Sequence, residues 1–295
     1  MRDRVIKKGE FDMEKIGLLI DSTSYTRKDL YEYGFIKEAH LKVIIDQKEY
    51  LENQLSQEDM EGFVSGTHKM LTSQPSPQNF LDLLHEFKAE GYTHVLVVVL
   101  SEKISGTYQS ALLAKTMLED SQMEISIHSP QTASFGLAIG IKIIAEKIKN
   151  GGKFNEVLDL YYNLFKEPLV TFTLSDLMHL FKGGRLSKVQ VLIGTVLRIK
   201  PIIEMIDGKL ELVKKTRTNN ACLDFFIEKI EYYTNKYENV YIDIIDLNAS
   251  EWSQKIEDYV KENHKSAHIN RTNYVSPVFY VHLGNKGFGI AIVAY

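Results

Sequence analysis

Cysteine is almost absent from this chain of 295 residues. The one cysteine, Cys222, excludes an intrachain disulfide and any zinc or iron–sulfur cluster held by several cysteines. Its neighbours Ala221 and Leu223 are apolar, so Cys222 is interpreted as a small core residue of a helix. A chain without disulfides is typical of a reducing compartment, and we expect a cytoplasmic protein.

An excess of positive charge is also lacking. The sequence has 35 Lys and Arg against 39 Asp and Glu, which gives a formal net charge of -4 at pH 7. Nucleic acids and anionic lipid surfaces attract proteins through a strong positive field. Bulk charge therefore predicts no nucleic-acid partner and no lipid surface.

Long hydrophobic runs are missing too. The longest purely aliphatic run covers residues 95–100, whereas a membrane-spanning helix needs about 20 apolar residues. Residues 1–14 are charged throughout, so we expect neither a signal peptide nor an integral membrane segment. Met13 stands just before the first strand-like segment, and residues 1–12 are expected to lie upstream of the fold.

Several catalytic and cofactor motifs are absent. Neither the phosphate-binding pattern Gly-x4-Gly-Lys-[Ser/Thr] nor the nucleophile elbow Gly-x-Ser-x-Gly occurs. The glycines after His282 precede a strand-like run rather than a helix, so they are not a dinucleotide fingerprint. His264 and His268 have no third ligand nearby in the sequence, which argues against zinc. We expect no metal and no cofactor.

Short apolar runs alternate with helical patterns in the first half of the chain. The strand-like runs are residues 16–20, 95–100 and 125–128. Helices are predicted from Pro77, with Ser76 as N-cap and Gly91 at the end, and from near Thr107 and Phe135. This order predicts an α/β domain with a mainly parallel sheet, which we place at residues 13–168.

The pattern changes in the second half. Asp207-Gly208 between two alternating runs is typical of a hairpin. Further helices are predicted near residues 154–165, 220–237 and 252–263, and further strands at 170–174, 240–245, 278–281 and 288–293. Residues 169–295 are therefore predicted to form an α+β domain. A length of 295 residues at about 150 per domain agrees with two domains.

Two loops place small hydroxyl residues ahead of predicted helices: Thr72-Ser73-Gln74-Pro75-Ser76 and Ser105-Gly106-Thr107. A helix start offers free N–H groups and a positive dipole end to an anion. The alternative is that these residues only cap their helices. Both loops are expected at the carboxyl edge of one sheet, where α/β proteins usually bind ligands, which favours an anion site.

Cationic and histidine candidates follow in the second half. Arg185 lies beside Gly183-Gly184, and Arg217 ends a basic cluster at residues 214–217. Each arginine is either a solvated surface residue or, if it lies in a cleft, a bidentate hydrogen-bond donor to a carboxylate or phosphate. His282 is placed at the end of the apolar strand 278–281 and is either structural or functional.

Several motifs resemble, in order, those of the DegV family, which includes the fatty-acid-binding subunits (FakB) of bacterial fatty acid kinase. The matching motifs are Asp21-Ser22-Thr23, Thr72-Ser73-Gln74-Pro75-Ser76, Ser105-Gly106-Thr107-Tyr108-Gln109-Ser110-Ala111, Gly183-Gly184-Arg185-Leu186-Ser187 and Ile199-Lys200-Pro201-Ile202. The resemblance extends from about Ile16 to the C-terminus. It implies a two-domain DegV-like fold with the ligand in the interdomain cleft.

The resemblance also implies a function. The two domains would clasp a long-chain fatty acid, with the acyl chain in an apolar tunnel and the carboxylate held by Thr72, Ser73, Ser105, Gly106 and His282. Arg185 and Arg217 would lie in the cleft or face the catalytic subunit of a fatty acid kinase. That kinase would bind ATP and form the acyl phosphate, so this chain is expected to have no catalysis of its own.

Two alternatives stay open. An acyl hydrolase could use Ser105 as nucleophile and His282 as base. A DegV-like protein could also bind another amphiphile. The turn at residues 282–287 favours that reading, because it lacks the hydroxyl usual in the family and carries Lys286.

Overall fold

The computed structural model describes residues 14–24, 33–119, 122–186 and 199–295. Residues 1–12 and Ser187, the last residue of the Gly183-Gly184-Arg185-Leu186-Ser187 motif, lie outside these ranges. The strands are β1 (Ile16–Asp21), β2 (Ile36–Ala39), β3 (Lys42–Ile45), β4 (Lys48–Leu51), β5 (Met70–Ser73), β6 (His94–Val98), β7 (Glu124–His128), β8 (Leu169–Leu174), β9 (Lys200–Ile206), β10 (Lys209–Thr216), β11 (Val240–Leu247), β12 (His268–Thr272) and β13 (Gly287–Ala294). The α-helices are α1 (Gln57–Ser65), α2 (Pro77–Ala89), α3 (Thr107–Met117), α4 (Phe135–Lys149), α5 (Phe154–Leu164), α6 (Met178–Lys182), α7 (Asn219–Lys236), α8 (Ser250–Asn263) and α9 (Pro277–Leu283).

The first sheet is parallel, in the order β2-β1-β6-β7, which confirms the predicted α/β domain. Successive side chains of a strand point to opposite faces. In β1, Leu18 packs with α4 and α5, while the next residue, Leu19, packs with α2 and α3. Helices therefore cover both faces, which is why the strand runs are apolar throughout.

The caps predicted for α2 are confirmed. The Ser76 side chain accepts a hydrogen bond from the backbone N–H of Asn79, and Pro77 occupies the first turn. Gly91, with φ of 76°, follows the helix in a conformation that favours glycine.

The second sheet has six strands in the order β10-β9-β8-β13-β11-β12. It is antiparallel except for the parallel pair β11 and β12. The predicted hairpin at Asp207-Gly208 is confirmed between β9 and β10, and both residues have positive φ (48° and 79°). Helices α7 and α8 cover one face, where Cys222 is buried as expected.

Helix α4 packs against both sheets. Its apolar residues share one core with strands β1 and β6 of the first sheet and with β8 and β13 of the second. Gly136 makes this approach possible, because a Cβ there would lie 2.7 Å from the Val170 side chain of β8. The parallel sheet lies within residues 16–128 and the six-stranded sheet within 169–294. The division at residue 168 itself stays a prediction.

A third, small sheet was not predicted from the sequence. It has the order β4-β3-β5 and packs with α1 and α9. Thr72 and Ser73 belong to its strand β5 rather than to a loop at the helix start. The expectation that the Thr72 and Ser105 segments follow strands of one sheet was therefore wrong, since Ser105 comes after β6 of the parallel sheet.

The strand predicted at residues 278–281 is also wrong. These residues lie in helix α9, which begins at Pro277 directly after Ser276 and carries His282 in its last turn. A short apolar run cannot by itself distinguish a strand from a buried helix, and the β-branched Val278 and Val281 favoured the wrong choice. Among the described residues, no helix has the length and apolar character needed to cross a bilayer.

Candidate functional site

An apolar cavity lies where the loops after the parallel sheet meet the second sheet, the small sheet and α9. Much of its wall is aliphatic or aromatic, including Leu100, Phe135, Phe172, Leu174, Val278 and Phe279. The residues come from separate parts of the chain, so only the folded protein forms the cavity.

Four of the predicted site residues line this cavity: Thr72, Ser105, Arg185 and His282. Thr72 stands near the end of β5, and its hydroxyl Oγ1 lies 2.9 Å from Nε2 of His282 on α9. The two residues are 210 positions apart in the sequence. Their contact places a hydroxyl and an imidazole side by side in the cavity wall.

The imidazole of His282 is neutral at pH 7. Burial, together with the positive charge of Arg185 and the nearby His179, lowers the pKa of His282 to about 4. The contact forms in either direction: Thr72 donates to Nε2 when the ring proton is on Nδ1, and Nε2 donates to Thr72 when the proton is on Nε2. Nδ1 has no hydrogen-bond partner within the described ranges.

The loop after α6 can lie close to this imidazole ring because residue 183 is a glycine. A Cβ on Gly183 would lie 2.5 Å from Nδ1 of His282, which is closer than atoms can approach. The following Gly184 has φ of 69°, a conformation that favours glycine. The predicted glycine turn therefore brings Arg185 back towards the cavity.

Ser105 stands at the start of α3. Its Oγ lies 2.9 Å from the hydroxyl of Thr107, and Gly106 is the N-cap residue of the helix. Ser105 Oγ accepts a hydrogen bond from the N–H of Thr107 at 3.4 Å, and the positive dipole end of the helix lies beside this hydroxyl. A Cβ on Gly106 would lie 2.3 Å from Oε1 of Gln74, so a larger residue there would displace the Gln74 amide.

Arg185 connects two parts of the chain at the cavity wall. Its Nη1 donates to the carbonyl of Gly183 at 2.6 Å, and its Nε donates to the carbonyl of Ile104 at 3.3 Å. Burial lowers the pKa of the guanidinium, but arginine keeps its charge in proteins. A second, polar pocket opens beside it and adds Lys103 and Lys209. The polar end of the cavity therefore adjoins a cationic pocket.

Comparison with known proteins identifies the family. The model of the family described as "Uncharacterised protein, DegV family" matches residues 15–295. The chain belongs to the DegV family. A DegV domain-containing protein of Staphylococcus aureus (strain COL) is 28% identical over 284 residues, covering 95% of this chain and 99% of the relative. One from Halalkalibacterium halodurans is 29% identical over 285 residues, covering 95% and 98%.

Solved DegV structures share the fold. A fatty acid binding DegV family protein from Streptococcus agalactiae superposes with a TM-score of 0.85 at 25% identity, covering 96% of this chain and 99% of that one. DegV from Bacillus subtilis, described as a fatty acid binding protein, gives 0.84 at 26% identity, covering 96% and 100%. The predicted two-part DegV fold is confirmed.

Not every predicted residue of this DegV chain reaches the cavity wall. The Ser73 hydroxyl donates to the carbonyl of Gln74 at 3.3 Å, and Arg217 is exposed just after β10. Neither lines the cavity, and Gly106 lines only the adjoining cationic pocket. Roles for these three in binding stay predictions.

A buried carboxyl network supports the site, and no sequence signal marked its centre, Glu52. Ser22 of the Asp21-Ser22-Thr23 motif and Ser276 both donate hydroxyl hydrogen bonds to Glu52, and the backbone N–H of Val278 donates to it at 3.0 Å. Burial raises the pKa of Glu52. Glu52 thus ties the small sheet region, the end of β1 and the start of α9 together.

The arrangement gives little support to hydrolysis. The hydroxyl of Ser105 contacts Thr107, and the imidazole of His282 contacts Thr72. Within the part of the chain that the structure describes, Ser105 and His282 therefore do not form the hydrogen-bonded pair that an activated serine requires.

Proposed function

We propose that this DegV protein binds a long-chain fatty acid, with the acyl chain in the apolar cavity and the carboxylate at its polar end. The observation that supports this most is the combination of an apolar cavity with two hydroxyls, an imidazole and a guanidinium among its lining groups. Relatives of the same fold from Streptococcus agalactiae and Bacillus subtilis are described as fatty acid binding.

The energetics agree with this occupant. Burial of apolar surface contributes roughly 0.8 kcal/mol per methylene, so an acyl chain of about 16 carbons can offset the entropy lost on binding. A carboxylate needs hydrogen-bond donors in such a place, because an unpaired buried charge is costly. The hydroxyls of Thr72 and Ser105 can donate, and Arg185 supplies the opposite charge.

We further propose that the protein presents the carboxylate to a separate ATP-dependent fatty acid kinase, which forms the acyl phosphate. The cationic pocket with Lys103, Lys209 and Arg185 adjoins the polar end of the cavity and suits an incoming phosphoryl group. The exposed Arg217 is assigned to the face offered to the kinase. The protein then acts as a cytoplasmic lipid-carrier subunit, since its kinase has to work where ATP is available.

Mass spectrometry of an organic extract of the purified protein tests the binding proposal. We expect a stoichiometric fatty acid, absent after delipidation, whereas a different amphiphile would show that the ligand class is wrong.

Thr72→Ala combined with Ser105→Ala should weaken fatty acid binding at least about tenfold, because two donors to a charged group are lost. Thr116→Ala with Ser266→Ala, at exposed positions, is the matched control. Unchanged affinity in the first pair would refute the carboxylate site.

A further inference from the structure

A third pocket lies beside Tyr280 of α9. Strand β11, helix α8 and the parallel strand β12 form a β-α-β unit, and the pocket lies at the carboxyl ends of these two strands. This is the edge at which α/β units usually bind ligands. Among its described lining residues, Leu247 alone also lines the apolar cavity, so the two sites are distinct.

Negative charge exceeds positive charge in this pocket. The carboxylates of Glu61, Asp246 and Glu257 line it together with one cation, Arg271. Arg271 forms ion pairs with two of these carboxylates: its Nη2 lies 2.7 Å from Oδ2 of Asp246, and its Nη1 lies 3.4 Å from Oε2 of Glu257. Lys261 also contacts Glu257, but from the exposed side of α8, where water screens the pair. Glu61 accepts a hydrogen bond from Gln57 at 3.0 Å. Among the described residues that line the pocket, the one cation, Arg271, pairs with the other two carboxylates and not with Glu61.

Tyr280 supplies an independent observation. It is 1% exposed and lines the pocket, yet its hydroxyl has no hydrogen-bond partner within the described residues. A buried hydroxyl without a partner costs about 1 to 3 kcal/mol. Burial and the charge of Glu61 raise the pKa of Tyr280 to about 12, so the phenol is neutral. Its oxygen can accept a hydrogen bond from a ligand.

We propose that this pocket binds a small organic cation through a primary ammonium group, held between the carboxylate of Glu61 and the hydroxyl oxygen of Tyr280. The ammonium N–H groups match both acceptors, and its charge offsets the excess of carboxylates. A metal ion fits less well, because no three acidic, histidine or cysteine side chains in the described ranges come close enough to hold one. The pocket has room for more than an ammonium ion, which favours an organic amine.

Isothermal titration calorimetry with putrescine (1,4-diaminobutane) tests the site. We expect binding of one putrescine per chain that weakens with added salt, because the contact is between charges. Tyr280→Phe, which removes only the oxygen, and Glu61→Gln should each weaken binding roughly tenfold. Glu58→Gln, an exposed carboxylate on the same helix α1, is the control and should bind as the unaltered protein does.

Other probes decide the chemical class. The neutral 1,4-butanediol and the tetramethylammonium ion, which has charge but no N–H, should not compete with putrescine. Competition by either, equal binding in Tyr280→Phe, or Glu61-dependent binding of calcium chloride in place of putrescine would overturn the proposal. Fatty acid content is measured on the same samples. Its retention in Tyr280→Phe and Glu61→Gln shows that each variant is folded and separates this site from the proposed fatty acid function.

Discussion

His282 is the side chain whose charge the cavity controls most strongly. It is neutral because burial and the charge of Arg185 disfavour a second cation there. Its two nitrogens have different surroundings, since Nε2 faces the hydroxyl of Thr72 and Nδ1 has no described partner. A ligand carboxylate in the cavity beside this ring would supply the opposite charge.

The titration of His282 should therefore report ligand binding. In delipidated protein we expect a pKa of about 4, and added fatty acid should raise it because a nearby carboxylate favours the imidazolium. NMR of the imidazole Cε1–H across a pH series measures both values, with His282→Gln used to assign the signal. A pKa that stays the same after loading would place the carboxylate away from this ring.

The same lowered pKa predicts how the unloaded protein responds to acid. The ordinary pKa of 6.5 applies to the unfolded chain, whereas the folded value is about 4. Between these two pH values, His282 carries a proton in the unfolded chain but not in the folded protein. The free energy of unfolding is therefore not reduced by this residue above pH 6.5, and it falls as the pH drops towards 4. In His282→Gln the free energy of unfolding, measured in urea, should lose this component of its pH dependence.

Among the elements, α9 connects the site to the rest of the molecule. It is only seven residues long, yet one side contributes to the apolar cavity and another packs against the small sheet and α1. Such a short helix is not stable by itself. Its position depends on Glu52, which accepts hydrogen bonds from Ser276 and from the N–H of Val278.

Replacement of Glu52 should loosen this element. Glu52→Ala leaves the buried donors of Ser22, Ser276 and Val278 without an acceptor, and we expect a loss of about 2 to 4 kcal/mol in the free energy of unfolding. Urea denaturation measures it, and Glu49→Ala, at an exposed carboxylate on β4, is the control. A loss no larger than in the control would mean that Glu52 does not hold α9 in place.

The elements also show why the sequence predicted some parts and not others. The strands β1 and β6 were predictable because both of their faces are buried, so every residue in the run is apolar. The strands of the small sheet have four residues each, and β4 is largely exposed, so no apolar pattern marks them. Local patterns indicate elements, but they carry no information on which short strands pair.

Some features of the candidate site could likewise be predicted from the sequence, and others could not. Ser105 was predictable from its position ahead of a helix, which is a local signal. The contact of Thr72 with His282 joins positions 210 residues apart and needs the packing of α9 on the small sheet. Glu52 has no motif around it. Its importance follows only from its burial among donors from three separate segments.

At the scale of the whole molecule, the shared helix α4 makes the two sheets parts of one core. Chains of this length often unfold in domain-sized steps. Because α4 loses partners when either sheet unfolds, we expect a single transition. Urea unfolding followed by the fluorescence of Trp252, the one tryptophan, and by far-UV circular dichroism should give coinciding curves. Two separate midpoints would show that the halves are independent.

The cavity between those halves has a further consequence if it carries a fatty acid. Its apolar walls come from the loops after the parallel sheet and from the second sheet, so the acyl chain becomes part of the protein's own hydrophobic core. Any molecule that binds only the folded state stabilises it. The empty protein is then the form that unfolds more often and that cellular proteases meet first. The supply of cargo would in this way set the lifetime, and so the abundance, of its carrier.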